Sequence, residues 1–155
     1  MTSVISRMIE VCVFRTMPEK TEYLLLKRAD DEPVYPGMWQ IVTGTMDGEE
    51  SALKASLREL KEETGLIPLQ YWVVPHTNAF YDHRRDAVHL VPFFAARVSA
   101  DAAVGLSHEH SAFVWTSYAG ARARLVWPGQ RAGLDLVEQV IVGGEEASRF
   151  SEITL

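Results

Sequence analysis

The sequence predicts an α/β protein in which helices cover a mixed sheet. Three observations predict it. Segments rich in Val, Ile, Tyr, Phe and Trp recur along the chain, the strongest helical pattern falls between them, and two more helical segments follow the last strand. Of 155 residues, 47% are hydrophobic and 23% charged, which excludes a disordered or fibrous chain. No repeat or linker divides residues 1–155, so one domain is expected, with the tail from about 143 a loose end or a partner contact.

The first strand is expected over residues 4–15, on Val4, Ile5, Ile9, Val11, Val13 and Phe14. Met17-Pro18-Glu19-Lys20 reads as a turn into a second strand at 22–28. The breaker-rich stretch from Asp30 to Gly37 is a loop, and Trp39 to Thr43 a short strand ending at Gly44. Residues 49–64 are the best helix: Gly48 and Ser51 flank its start, acidic residues fill the expected first turn, and Gly65 stops it. Leu53, Leu57, Leu60 and Thr64 fall within roughly 60° of arc and form its expected core seam. Strands at about 69–81 and 87–98 flank the charged hairpin Asp82-His83-Arg84-Arg85-Asp86. Ala112 to Thr116 is the last strand, and helices at about 117–125 and 129–142 are broken at Trp127-Pro128-Gly129.

Fifteen basic against twenty-one acidic side chains leave a net charge of −6, a surface that does not draw in a polyanion, so nucleic acid and anionic membrane are not expected partners. The single cysteine, Cys12, excludes an internal disulfide and a cysteine-built zinc site, and its apolar run Ile9–Phe14 suits an inert buried thiol. No apolar run approaches the roughly 20 residues of a membrane span, and the N-terminus lacks a signal pattern. A cytoplasmic location is expected.

On the 49–64 helix, Glu59, Glu62 and Glu63 fall within roughly 100° of arc, an i, i+3, i+4 spacing that stacks three carboxylates on one surface. Such hard oxygen ligands suit Mg²⁺ or Mn²⁺, which would neutralise the repulsion and leave positions for phosphate oxygens and water. The competing reading is a solvated acidic face paired with Lys54, Arg58 and Lys61.

The surrounding spacing decides between them. From Gly44, five residues lead to Glu50, seven more to Arg58-Glu59-Leu60, one more to Glu62-Glu63, and one more to Gly65-Leu66. This resembles the complete signature of the Nudix hydrolase family. A chance match of its seven single-type positions is on the order of one in a million. Pro36-Gly37-Met38-Trp39 resembles the usual approach to the box, and Glu109 with Trp115 six residues later resembles the acid and tryptophan before the last core strand. Thr43 stands where many members carry a second glycine. With Trp39-Gln40 ahead of it, this looks more like the branch acting on deoxynucleoside triphosphates and dihydroneopterin triphosphate.

The resemblance implies a Nudix-type α/β/α sandwich over most of residues 5–140. It implies Glu59, Glu62, Glu63 and Glu109 as metal ligands, with a backbone carbonyl at Gly44, and Mg²⁺ (or Mn²⁺) as cofactor. Arg58 would orient the carboxylates with Glu50 assisting; Glu59 and Glu109 are alternative general bases. Substrate contacts are expected from Arg28 and Lys27, from Arg84 and Arg85, and from Trp39, Tyr81 and Trp127 as stacking surfaces or packing residues. His108 and His110 offer a weaker histidine metal site, facing one side if extended.

The implied activity is Mg²⁺-dependent cleavage of a diphosphate linkage in a nucleoside triphosphate-like small molecule, releasing a monophosphate and pyrophosphate. Nucleotide sugars, dinucleotide polyphosphates and oxidised deoxynucleotides are alternative substrates. A non-catalytic nucleotide sensor is the alternative from another class, and a homodimer is compatible with the family.

Overall fold

The computed structural model describes residues 1–155 and contains one nine-stranded mixed sheet flanked by helices. Its strands are β1 (Ser3–Ile5), β2 (Met8–Thr16), β3 (Thr21–Arg28), β4 (Trp39–Gln40), β5 (Val42–Thr45), β6 (Gln70–Asp82), β7 (Ala87–Val98), β8 (His110–Thr116) and β9 (Glu152–Ile153). The helices are α1 (Ala52–Thr64), α2 (Tyr118–Arg124), α3 (Pro128–Leu136), which widens into a π-helical turn at Val137–Val142, and α4 (Ala147–Ser151). No helix is long and apolar enough to cross a membrane.

The main path runs β4-β3-β2-β7-β6-β9, with β1 beside β7, β5 beside β2 and β8 beside β3. The β1–β7 and β2–β7 pairs are parallel and the others antiparallel, which makes the sheet mixed as expected. Alternation along β2 and β3 sends side chains to two cores. Cys12, Phe14, Tyr23 and Leu25 pack under α2 and α3, while Val11, Val13, Leu24 and Leu26 pack under α1.

Several boundaries differ from the sequence expectation. The strand expected at 4–15 is two, because pairing to β7 lapses after Ile5: β2 starts at Met8 against β5 and rejoins β7 only from Glu10. The strand expected at 39–43 is also two: β4 pairs β3, β5 pairs β2, and Ile41 between them turns into the α3-side core. The helix starts at Ala52 rather than 49, since Ser51 takes the N-cap and its hydroxyl accepts from the Lys54 N–H at 3.3 Å. Its first turn therefore holds no acid. At the other end Gly65, at φ 69°, sends its N–H to the Lys61 carbonyl and ends α1 as expected. The chain beyond residue 143 forms α4 and then β9, which pairs with β6.

Candidate active site

The core-facing side of α1 is rotated by roughly 70° from the expected leucine seam. Ala55, Ser56, Leu60, Glu63 and Thr64 are its buried residues, whereas Leu53 and Leu57 lie at the edge. Small side chains bring this about. Ser56 fits beneath the Tyr71 hydroxyl, which donates to it at 2.8 Å, and glycine at position 44 gives Glu59 its space. A Cβ on Gly44 would overlap the Cγ and Cδ of Glu59. The glycine was expected to admit a metal and phosphate to the backbone; what it visibly admits is the carboxylate.

The rotation separates the three box glutamates. Glu62 points outward, Glu59 is half-buried, and Glu63 is only 3% exposed. The single acidic edge expected from the helical spacing is thus not maintained, and as placed no three acidic or imidazole side chains gather closely enough to surround an ion. Lys54 and Lys61 form no ion pair with these acids; Arg58 does.

Arg58 holds the arrangement together. Its Nε and Nη2 donate to both oxygens of Glu50 at 3.0 and 2.8 Å, and Nη1 donates to Glu59 at 2.9 Å and Glu62 at 3.2 Å. Nη2 also donates to the Thr45 carbonyl at 2.9 Å, which ties α1 to β5. Glu50 was expected two turns along the same helix, but it precedes the N-cap, so the guanidinium folds back across the first turn to meet it. The Arg58 hydrogen bonds, with the Asp47 N–H, hold the Glu50 carboxyl down at about 2.

Glu63 has the opposite environment. Burial pushes its carboxyl up to about 9, and the charges of Glu59 and Glu109 push the same way, against the Thr43 backbone N–H and Arg28. Its Oε2 is buried without a hydrogen-bond partner. Burial also raises Glu59, which Arg58 opposes. Glu109 joins them from the turn before β8, where its carbonyl accepts from the Ala29 N–H at 2.9 Å. A cleft of about 320 Å³ lined by Arg28, Thr43, Gly44, Asp47, Glu59 and Glu109, among others, opens above this group. A larger recess of about 490 Å³ lies at the β2–β3 turn, beside Lys20, Tyr118 and Glu138, away from the acids.

The donors of the cleft fit a divalent cation. They are hard carboxylate oxygens, one is buried and unpartnered, and the mutual repulsion of Glu59, Glu63 and Glu109 would be relieved by a positive charge.

The other expected residues divide. Arg28 lines the cleft; its Nε donates to the Val34 carbonyl at 2.7 Å and its Nη2 to Glu32 at 3.3 Å. Trp39 is half-buried against the α3-side core. Tyr81 and Arg84 are not at the cleft. The Tyr81 hydroxyl donates to Asp86 at 2.9 Å, and Arg84 sits in the β6–β7 turn with its N–H on Asp82, beside Arg85 paired to the same acid. Trp127 stands at the start of α3, 40% exposed, with its ring edge-to-face on Tyr35 at 5.3 Å. The histidine pair also separates: His108 is exposed in a turn, whereas His110 starts β8, buried with its Nε2 2.9 Å from Gln40, and burial drops it to about 4.

Sequence reasoning missed a second polar group on the α3 side of the sheet, Glu10 with Asn78 and Gln130. Its signal was a carboxylate inside the apolar run Ile9–Phe14.

The NUDIX domain model matches residues 6–137. An octanoyltransferase of Myxococcus xanthus is 34% identical over 126 residues, 81% of this chain; the chain spans 34% of the length of that protein. Nucleoside triphosphatase NudI of Escherichia coli is 30% identical over 100 residues, 60% of this chain and 71% of NudI. In structure, a NUDIX hydrolase of Listeria monocytogenes superposes with a TM-score of 0.74 at 22% identity, over 90% of this chain and 96% of that one. With the family model covering all of α1 and the cleft around it, the chain belongs to the Nudix hydrolase family.

Proposed function

We propose that the chain hydrolyses a nucleoside triphosphate-like substrate in the presence of Mg²⁺, or Mn²⁺ in its place, releasing a monophosphate and pyrophosphate. The observation that carries this is Glu63, a carboxylate whose buried oxygen lacks a partner and which feels the charges of Glu59 and Glu109, two acids that line the cleft. Such an arrangement is costly in the empty protein and is accounted for by a ligand of opposite charge. Glu59, Glu63 and Glu109, with the main chain at Gly44, would hold the cation, which supplies phosphate charge neutralisation and water activation.

The chain's own residues have separable tasks. Arg58 fixes Glu59 through Oε1 and leaves Oε2 free of that grip. Arg28 is anchored through Nε and Nη2, which leaves Nη1 to donate to a phosphate oxygen at the cleft. Trp127 offers an exposed face to a planar ring. The proton of the attacking water passes to Glu59 or to Glu109, which both line the cleft and are not fully buried.

A substrate panel tests this. Purified chain with Mg²⁺ is given triphosphates, nucleotide sugars and dinucleotide polyphosphates, and phosphate and pyrophosphate are measured. Fastest turnover of a triphosphate with pyrophosphate as product is expected, together with a loss of about a hundredfold or more in Glu59→Gln and Glu63→Gln at unchanged fold. ADP-ribose turning over faster than every triphosphate would redirect the substrate class. Binding of nucleotide without turnover of any compound would make the chain a sensor.

A further inference from the structure

The α1 side of the sheet is covered only in part. α1 packs on β2 and β5, and the apolar core beneath it takes in Phe94, Ala96 and Val98 of β7. Alternation from Phe94 sets Pro92, Leu90 and Val88 on the same face. The strand register sets beside them Val73, Thr77, Ala79 and Tyr81 of β6 and Val4 of β1. These residues lie outside the shelter of the helix: Val4 is 65% exposed, Tyr81 56%, Val73 46% and Leu90 38%.

A sheet face open to water ordinarily turns polar residues outward. This one carries no charged side chain between Val73 and Tyr81 or between Val88 and Phe94. At about 3.3 Å per residue and 4.8 Å per strand, the strip spans roughly 300–400 Å². Contiguous apolar patches of that size on a single chain mark contact surfaces. A stable dimer buries about 800 Å² per partner, an apolar core inside a polar rim, and the strip is large enough for that core.

The two ends of the strip supply a rim of opposite charge. At the β6–β7 hairpin, Arg84 uses only its backbone N–H, on Asp82, and its guanidinium forms no ion pair; the Arg85 side chain is 75% exposed. At the other end of β6, the exposed Glu152 of β9 accepts only from Gln70. We propose that a second copy of this chain docks on the strip, sheet on sheet, about a two-fold axis crossing β6 near Thr77. The two-fold lays the strip antiparallel on itself, about 10 Å away, and carries each Arg84 toward the other copy's Glu152. Arg28, Glu59 and Glu109, which line the acidic cleft, do not belong to the strip.

Sedimentation equilibrium of the full chain at micromolar concentration tests this. A dimer is expected. Ala79→Glu and Leu90→Glu each set like charges against each other near the axis, so each should raise the dissociation constant at least about tenfold. Arg84→Glu should weaken the dimer as well, and adding Glu152→Arg to it should restore the association by reversing both charges. Thermal unfolding and circular dichroism verify that the variants fold. A parent that sediments as a monomer overturns the proposal without any variant. A dimer that persists unchanged in both folded strip variants overturns it too, since the contact would then lie elsewhere.

Discussion

Glu63 takes a proton in the folded, metal-free protein at pH values where the unfolded chain leaves it ionised. A carboxyl raised from 4.5 to about 9 contributes stability that is whole below pH 4.5 and is lost as pH rises through 9. Glu10, raised to about 7 chiefly by burial, acts with the same sign over a narrower window, from 4.5 to 7. Metal-free Glu63→Gln is therefore expected to exceed the parent in stability at pH 7.5 by up to about 4 kcal/mol, read by urea unfolding. Glu10→Gln should gain on the order of 3 kcal/mol above pH 7 and nothing near pH 4.5. Lower stability of both variants at pH 7.5 would contradict the burial cost. Glu50 runs the other way: held at about 2 by Arg58, it supports the fold above 4.5 and ceases to as pH falls towards 2. At Gly44, substitution by Ala displaces the Glu59 side chain, so kcat should fall about a hundredfold or more while the unfolding midpoint moves little. A variant with parental kcat would show that Glu59 can be placed another way.

At the level of elements, α1 carries both what the sequence disclosed and what it hid. Its existence, its end at Gly65 and the i, i+3, i+4 spacing of its glutamates were legible because helical periodicity and a left-handed glycine cap are local properties. Its start was not, since a serine cap competes with the acids ahead of it; Ser51→Ala is expected to cost about 1 kcal/mol in unfolding free energy. The face it buries was not legible either. Three leucines and a threonine outweigh Ala55 and Ser56 in a hydrophobicity pattern, yet the small pair determines which side lies flat on β5 and the sheet. That choice buries Glu63 and frees Glu62, a tertiary outcome with no local marker. Arg58 then bridges α1 to the preceding loop through a forked pair with Glu50. Arg58→Lys keeps the charge but loses the fork, so kcat should drop more than tenfold with KM little changed; an equal fall in substrate affinity would place Arg58 in binding instead.

Across the whole molecule, the mixed sheet separates two groups of polar side chains. The α1 face and its rim gather Glu59, Glu63, Glu109 and Arg28, while the α3 face gathers Glu10, Asn78, Gln130 and the Trp127–Tyr35 pair. The order of strands and helices and the acids of the box were readable along the chain. The convergence of Glu109 with α1 depended on family resemblance, and the Glu10 cluster depends on β2, β6 and α3 meeting, which spacing does not encode. Tyr81 and Arg84 had suitable chemistry but sit at the β6–β7 hairpin, so residue type alone misplaced them. All of this turns on whether a divalent cation accounts for the buried acid. Unfolding temperature with and without Mg²⁺, taken at pH 6 and pH 8.5 for the parent and Glu63→Gln, tests it directly. The parent should gain several degrees from Mg²⁺, more at pH 8.5 because protons compete for the ligands, and Glu63→Gln should gain little at either pH. Equal Mg²⁺ gains in the two proteins would contradict the assignment of Glu63 to the metal.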